Sequence, residues 1–218
     1  MRLIGLFAAM MIGAAATAGA VDYVMDRAAV DAAVTLGQSR TERERLRYHA
    51  DYRFAIGKPP IDYVEIVTPF RRVVLAAEAR ALVGDRRFGQ RQAMELLAAA
   101  DGQLDVRVEV TFHPLNTYVG VPGYAIKLVM RETRSAKAPV TPVSMESIPR
   151  YGARVDGTPV FLPAPGAGSG GQSQPLLGGT VMAHFDGRVV DANGSYNVIV
   201  EEAGKEIGRI GVDLGKLR

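Results

Sequence analysis

His49, His113 and His184 are the only imidazoles in a chain of 218 residues that has no cysteine and no tryptophan. Disulfides, thiolate zinc sites, iron–sulfur clusters and cysteine nucleophiles are therefore excluded. No two histidines stand at the spacing of a helical metal pair, and no His-Glu-x-x-His occurs. Asp186 follows His184 by two residues. A sheet that carried His113 to the same place would complete a set of two nitrogens and one oxygen, the ligands of a metal-dependent hydrolase. The plainer alternative leaves His113 and His184 as strand-end histidines hydrogen-bonded to nearby backbone.

The stretch from Phe112 to Tyr124 is the richest in groups that recognise a ligand. It joins two strand-like segments and is much longer than the roughly 2–5 residues a hairpin loop takes. His113, Asn116, Tyr118 and Tyr124 are gathered there among Pro114, Gly120, Pro122 and Gly123. A stiff backbone that presents aromatic and amide groups suits a sugar, peptide or protein surface, so these four are the candidate partner-binding residues. The structural alternative is a crossover between sheets with Leu115, Val119 and Val121 buried.

Other motif-like strings carry less. Gly166-x-Gly168-x-x-Gly171 has the letters of a dinucleotide fingerprint, but prolines flank it where a strand and a helix are required. Ser169 in the same run lacks the strand–turn–helix setting of a nucleophile elbow. Glu201 and Glu202 are neighbours on a strand and point to opposite faces, so they form no acid–base couple. Arg71-Arg72 and Arg86-Arg87 with Arg91 could face an anionic partner or simply be solvated. Of 26 basic residues 21 are Arg, set against 23 acids and interleaved with them in Arg40-Thr41-Glu42-Arg43-Glu44-Arg45. A nucleic-acid groove needs a field of one sign over several phosphates, and none is present in the sequence. Nothing calls for a cofactor.

Met1-Arg2, the uncharged run Leu3–Ile12 and the small residues Gly13–Ala20 have the anatomy of a secretory signal peptide ending in Ala18-Gly19-Ala20. The weakly hydrophobic second half argues for cleavage over retention as an anchor. Absence of cysteine excludes a lipid anchor. The expected location is the periplasm first and the extracellular space second, with no transmembrane segment once residues 1–20 are removed.

The elements that must position these residues follow from periodicity. Residues 21–50 read as helical, with Val24, Ala28, Val30, Ala33 and Val34 on one face and a break at Gly37. Ser39 and Thr41 each precede a Glu by three residues, which predicts a capping box and a second helix failing before Lys58-Pro59-Pro60. Ile61–Thr68 predicts a strand with Ile61, Tyr63 and Val67 opposite Asp62, Val64 and Ile66. Residues 70–83 are divided: Thr68-Pro69 is a helix start, Val73-Val74-Leu75 favours a strand, and the strand is marginally preferred. A helix is predicted over Gln90–Ala100 with Met94, Leu97 and Ala98 on its face. Leu104–Phe112 and Tyr124–Met130 alternate cleanly. Residues 131–179 lack periodicity, with a Pro/Gly/Ser-rich loop at 163–175. Thr180–Phe185, Tyr196–Glu202 and Glu206–Leu214 read as strands separated by turns.

Together these segments predict a mainly β (α+β) protein: a two-layer antiparallel β-sandwich, with an immunoglobulin-like arrangement among the forms it could take. A helical segment at 21–58 and one further helix near 90–100 accompany a single β-rich domain at 59–218. The expected function is that of an exported, non-catalytic binding or structural protein of the bacterial cell envelope. Its partner would be a protein or an envelope component, and its oligomeric state is left open.

Overall fold

The computed structural model describes residues 21–113, 115–131, 138–152 and 175–218. The signal-peptide reading of 1–20, Gly166, Gly168, Ser169 and Gly171, and all of the 163–175 loop but its last residue lie outside these residues. Among them, four α-helices, α1 (Arg27–Gly37), α2 (Glu42–Ala50), α3 (Pro69–Leu82) and α4 (Gln90–Ala100), accompany eight strands. The strands are β1 (Arg53–Lys58), β2 (Ile61–Val67), β3 (Leu104–Thr111), β4 (Tyr124–Met130), β5 (Ser144–Tyr151), β6 (Leu176–Phe185), β7 (Ser195–Glu202) and β8 (Lys205–Asp213).

The strands form two antiparallel sheets, ordered β1-β2-β3-β6-β5 and β4-β7-β8. The chain is thus mainly β, an α+β two-layer sandwich. Taking β2 to β8 as strands A to G gives A-B-E-D facing C-F-G, the strand order of an immunoglobulin constant-type sandwich. β1 is an added edge strand, and α3 and α4 fill the A–B connection. At the start of β7 the Tyr196 hydroxyl accepts from the Asp191 backbone N–H at 2.8 Å, the tyrosine corner of that arrangement.

Alternation explains the core. Leu104, Val106, Val108, Val110 and Phe112 of the β3 segment all turn inward, opposite Ile126 and Leu128 of β4 and Val198 and Val200 of β7. A register shift between Ile61 and Tyr63 brings Ile61 onto the core side with Val64 and Ile66, which corrects the expected grouping of Ile61 with Tyr63. A second cluster sits among the helices: Val30, Ala33 and Val34 of α1 against Phe70, Val73 and Val74 of α3 and Ala93 of α4.

Several expectations are corrected. Pro69–Leu82 form a helix, because Thr68 caps it by accepting from Arg71 N at 3.2 Å and Pro69 sits in its first turn. Val73 and Val74, which favoured a strand, are the residues that α3 buries against α1. The helical segment stops at Ala50, and residues 53–58 form β1 instead. Val24 and Ala28 lie off the buried face of α1, and Met94 lies off that of α4, which buries Ala93. The capping box before α2 is replaced by a Ser39 hydroxyl that donates to Glu44 at 2.7 Å. β5, in the stretch without periodicity, is a sheet-edge strand exposed along its whole length.

Candidate functional site

The connections between strands gather at two ends of the sandwich. The helices, the α4–β3 link and the β6–β7 turn share one end. At the other are the β1–β2 turn, the loop from Phe112 to Gly123 and the two-residue bend Ala203-Gly204. Both residues of that bend have positive φ, which matches the twist of the strands it joins.

At this second end Asn116 organises the long loop. Its Nδ2 donates to the His113 carbonyl at 2.9 Å and to the Leu176 carbonyl on β6 at 3.0 Å, while its Oδ1 accepts from Tyr118 N at 3.0 Å. The Tyr118 ring meets Phe112 edge-on, with centroids 4.9 Å apart. Val121 packs against the sandwich core. The loop is therefore fastened at both ends and in the middle. Between those fastenings Leu115, Tyr118 and Val119 are 73%, 46% and 96% exposed, so the expected burial of Leu115 and Val119 does not occur. Tyr151 pairs with Leu176 at the same end, and Ile148 lies further along β5; both are exposed.

His113 is exposed on this loop and its Nδ1 accepts from Leu115 N at 3.1 Å. Tyr124 is buried at the start of β4, where burial pushes its hydroxyl well above the ordinary tyrosine range. Of the four candidate residues, Asn116 is the frame, Tyr118 and His113 face solvent, and Tyr124 belongs to the core.

The proposed metal ligands are not brought together. His184 pairs with Asp105 in the β3–β6 ladder, and His113 lies eight residues further along the chain from Asp105, beyond the far end of β3. At strand rise this is roughly 25 Å. Asp186 is engaged by Arg188, whose Nε and backbone N each donate at 2.9 Å; these hydrogen bonds hold its carboxyl below the usual range. No group of three or more ligand-type side chains suited to a metal occurs among the described residues.

Sequence reasoning missed three networks, each joining residues distant in the chain. Glu65 accepts from Arg71 Nη2 at 2.6 Å and Arg53 Nη2 at 3.1 Å, with Arg107 Nη1 at 3.4 Å. Burial alone would raise the Glu65 pKa, but the guanidinium of Arg71, with those of Arg53 and Arg107, outweighs it and holds the carboxyl below its ordinary value. Asp105 joins His184 Nδ1 at 2.8 Å and Arg72 Nη2 at 2.7 Å, and Glu78 joins His49 Nε2 at 2.7 Å and Arg45 Nε at 2.9 Å. Two clefts open among the helices. One of about 240 Å³ is lined by Ser39, Arg45, Glu78 and Arg86, the other of about 210 Å³ by Met25, Arg72, Met94 and Leu97.

Comparison of the chain with protein-family models, with curated proteins and with solved structures finds no match.

Proposed function

We propose that the protein is an exported, non-catalytic binding protein of the bacterial cell envelope, and that it engages a protein or envelope-component partner through the loop end of its sandwich. The observation that carries this reading is the exposure of Leu115, Tyr118 and Val119 on a loop whose backbone Asn116 fixes. An ordered loop that holds apolar side chains in water already has its ordering entropy spent, which favours association. The strand order supports the reading only by analogy of fold: immunoglobulin variable domains recognise ligands through loops that include B–C, and here the loop in that place is Phe112–Gly123. The charged start, apolar run and small-residue end of residues 1–20 support export.

Two measurements test it. Intact mass of the protein recovered from the envelope of a bacterial host should show loss of residues 1–20; full retention of that segment overturns cleavage. A photo-crosslinking residue at Val119 in cells should give one discrete adduct that Leu115→Ser abolishes without lowering the melting temperature. Absence of any adduct, or an adduct indifferent to Leu115→Ser, overturns the assignment of the loop.

A further inference from the structure

On the outer face of the five-stranded sheet, three side chains from distant parts of the sequence fall into one row. Residues directly paired across antiparallel strands share a face, with Cβ atoms roughly 4.5–5.5 Å apart. Asp105 of β3 pairs with His184 of β6, and His184 pairs in turn with Ser144 of β5. An imidazole thus stands between a carboxylate and a hydroxyl on three neighbouring strands. Sequence spacing hides this order, because the registers of two separate ladders create it.

The carboxylate side of the row is fixed. Asp105 Oδ1 lies 2.8 Å from His184 Nδ1, and Asp105 Oδ2 accepts from Arg72 Nη2 at 2.7 Å. An ionised carboxylate only accepts, so Nδ1 carries the proton of the neutral imidazole and Nε2 keeps its lone pair. This is the tautomer in which a histidine serves as base toward a hydroxyl. His184 is 20% exposed, and among the described residues its ring is engaged through Nδ1 alone. With Nδ1 turned to β3, Nε2 lies on the side away from that strand, and β5 is the next strand there. Ser144 is exposed at this sheet edge, and its hydroxyl has no hydrogen-bond partner among the described residues that would hold it from turning to Nε2.

We propose that Ser144 is a nucleophile activated by His184, and that it accepts an acyl group from an ester. Ser144 Oγ attacks the carbonyl carbon and forms a new C–O bond while its proton passes to His184 Nε2. The bond from that carbon to the alkoxide oxygen then breaks, and Nε2 returns the proton to the departing oxygen. An alcohol leaves and acyl-Ser144 remains, with no oxidant or further reactant required. Asp105 keeps the ring oriented and stabilises the imidazolium formed between the two proton transfers. An ester matches this row because it offers a carbonyl carbon to the oxygen nucleophile and a leaving oxygen to take back the proton. Such acylation leaves one covalent mark on each chain, apart from the Phe112–Gly123 loop and compatible with a non-catalytic role.

Ser147 is the internal control, since it is exposed on the same strand but pairs with Val181 instead of a histidine. The purified protein treated with p-nitrophenyl acetate and mapped by peptide mass should carry acetyl at Ser144 about tenfold or more over Ser147. His184→Gln, which keeps a donor for Asp105 but supplies no base, should bring Ser144 down to the level of Ser147. Should that variant fold poorly, the ratio of the two serines in the parent still decides. Equal labelling of Ser144 and Ser147, no label at Ser144, or a folded His184→Gln labelled as the parent is overturns the proposal.

Discussion

Arg71 Nη2 donates to Glu65 Oε1 at 2.6 Å, and both side chains are sealed from water, so a charge pair inside the protein fastens α3 to β2. Arg71 also donates to the Ile66 carbonyl at 2.7 Å. Without Arg71 the buried Glu65 keeps only the partly exposed Arg53 and Arg107 as partners. Arg71→Met should therefore cost about 1.5–3 kcal/mol in urea unfolding. Glu65→Leu/Arg71→Met should recover part of that loss, since Arg53 and Arg107, 52% and 32% exposed, can be hydrated at their outer atoms. A double variant no more stable than Arg71→Met would show that the pair is not the seat of the effect.

Acid should loosen the same fastening. The Glu65 carboxyl is held below its ordinary value in the folded chain, burial opposing and the three guanidinium groups prevailing. Its contribution is complete above the unfolded carboxylate pKa of about 4.3 and is lost as pH falls through the lower folded value. Glu65→Gln should then be less stable than the parent at neutral pH, with the gap closing as the solution is taken below about pH 4. Thermal melts at a series of pH values check this; a gap constant with pH contradicts it.

Gly37 holds the helical cluster together by having no side chain. A Cβ there would overlap the Val74 carbonyl and come within 2.7 Å of the Ala77 Cβ, both on α3. Gly37→Ala should push α1 from α3 and cost about 1–3 kcal/mol, although alanine is the better helix former. Hydrogen exchange should show the loss first in α1 and α3, with β3 and β7 less affected.

The tyrosine corner should be equally local. Tyr196→Phe leaves the Asp191 N–H without its acceptor and should cost about 1–2 kcal/mol by chemical unfolding, with strand content unchanged by circular dichroism. Loss of strand signal would mean that the hydroxyl does more than tie the β6–β7 turn.

How much of this was legible depended on which force placed each residue. β3 and β4 bury one face against the other sheet, so their period-2 pattern announced them. β5 has water on both sides and lies at an edge; Ser144, Glu146 and Pro149 carry no burial pattern, so the strand was invisible. In α3 the start signal Thr68-Pro69 was correct, and Val73-Val74 misled because packing on α1, not local preference, decides their conformation. The Phe112–Tyr124 loop was found from its length and composition, yet the sequence did not reveal that Asn116 would be its frame and Tyr124 part of the core. Pairs such as Asp105 with His184 join residues 79 apart and are created only by the register of β3 on β6.

Asn116 separates order in the loop from stability of the fold. Its three hydrogen bonds join the His113 carbonyl, Tyr118 N and the Leu176 carbonyl of β6, and no other side chain of the loop reaches that strand through a hydrogen bond among the described residues. Asn116→Ala removes all three, yet Phe112 and Val121 stay packed in the core. The Tyr118 amide should then exchange tenfold or more faster, while the global unfolding energy falls by only about 1–2 kcal/mol. Leu115 and Val119 would remain exposed but no longer be held in one place, so ordering them would fall to the binding step. The Val119 crosslink should weaken in Asn116→Ala and be unaffected in Asp62→Asn, on β2, whose side chain accepts from the Thr111 hydroxyl at 2.6 Å. Equal crosslinking in the two variants would show that the loop's order is not what the partner selects.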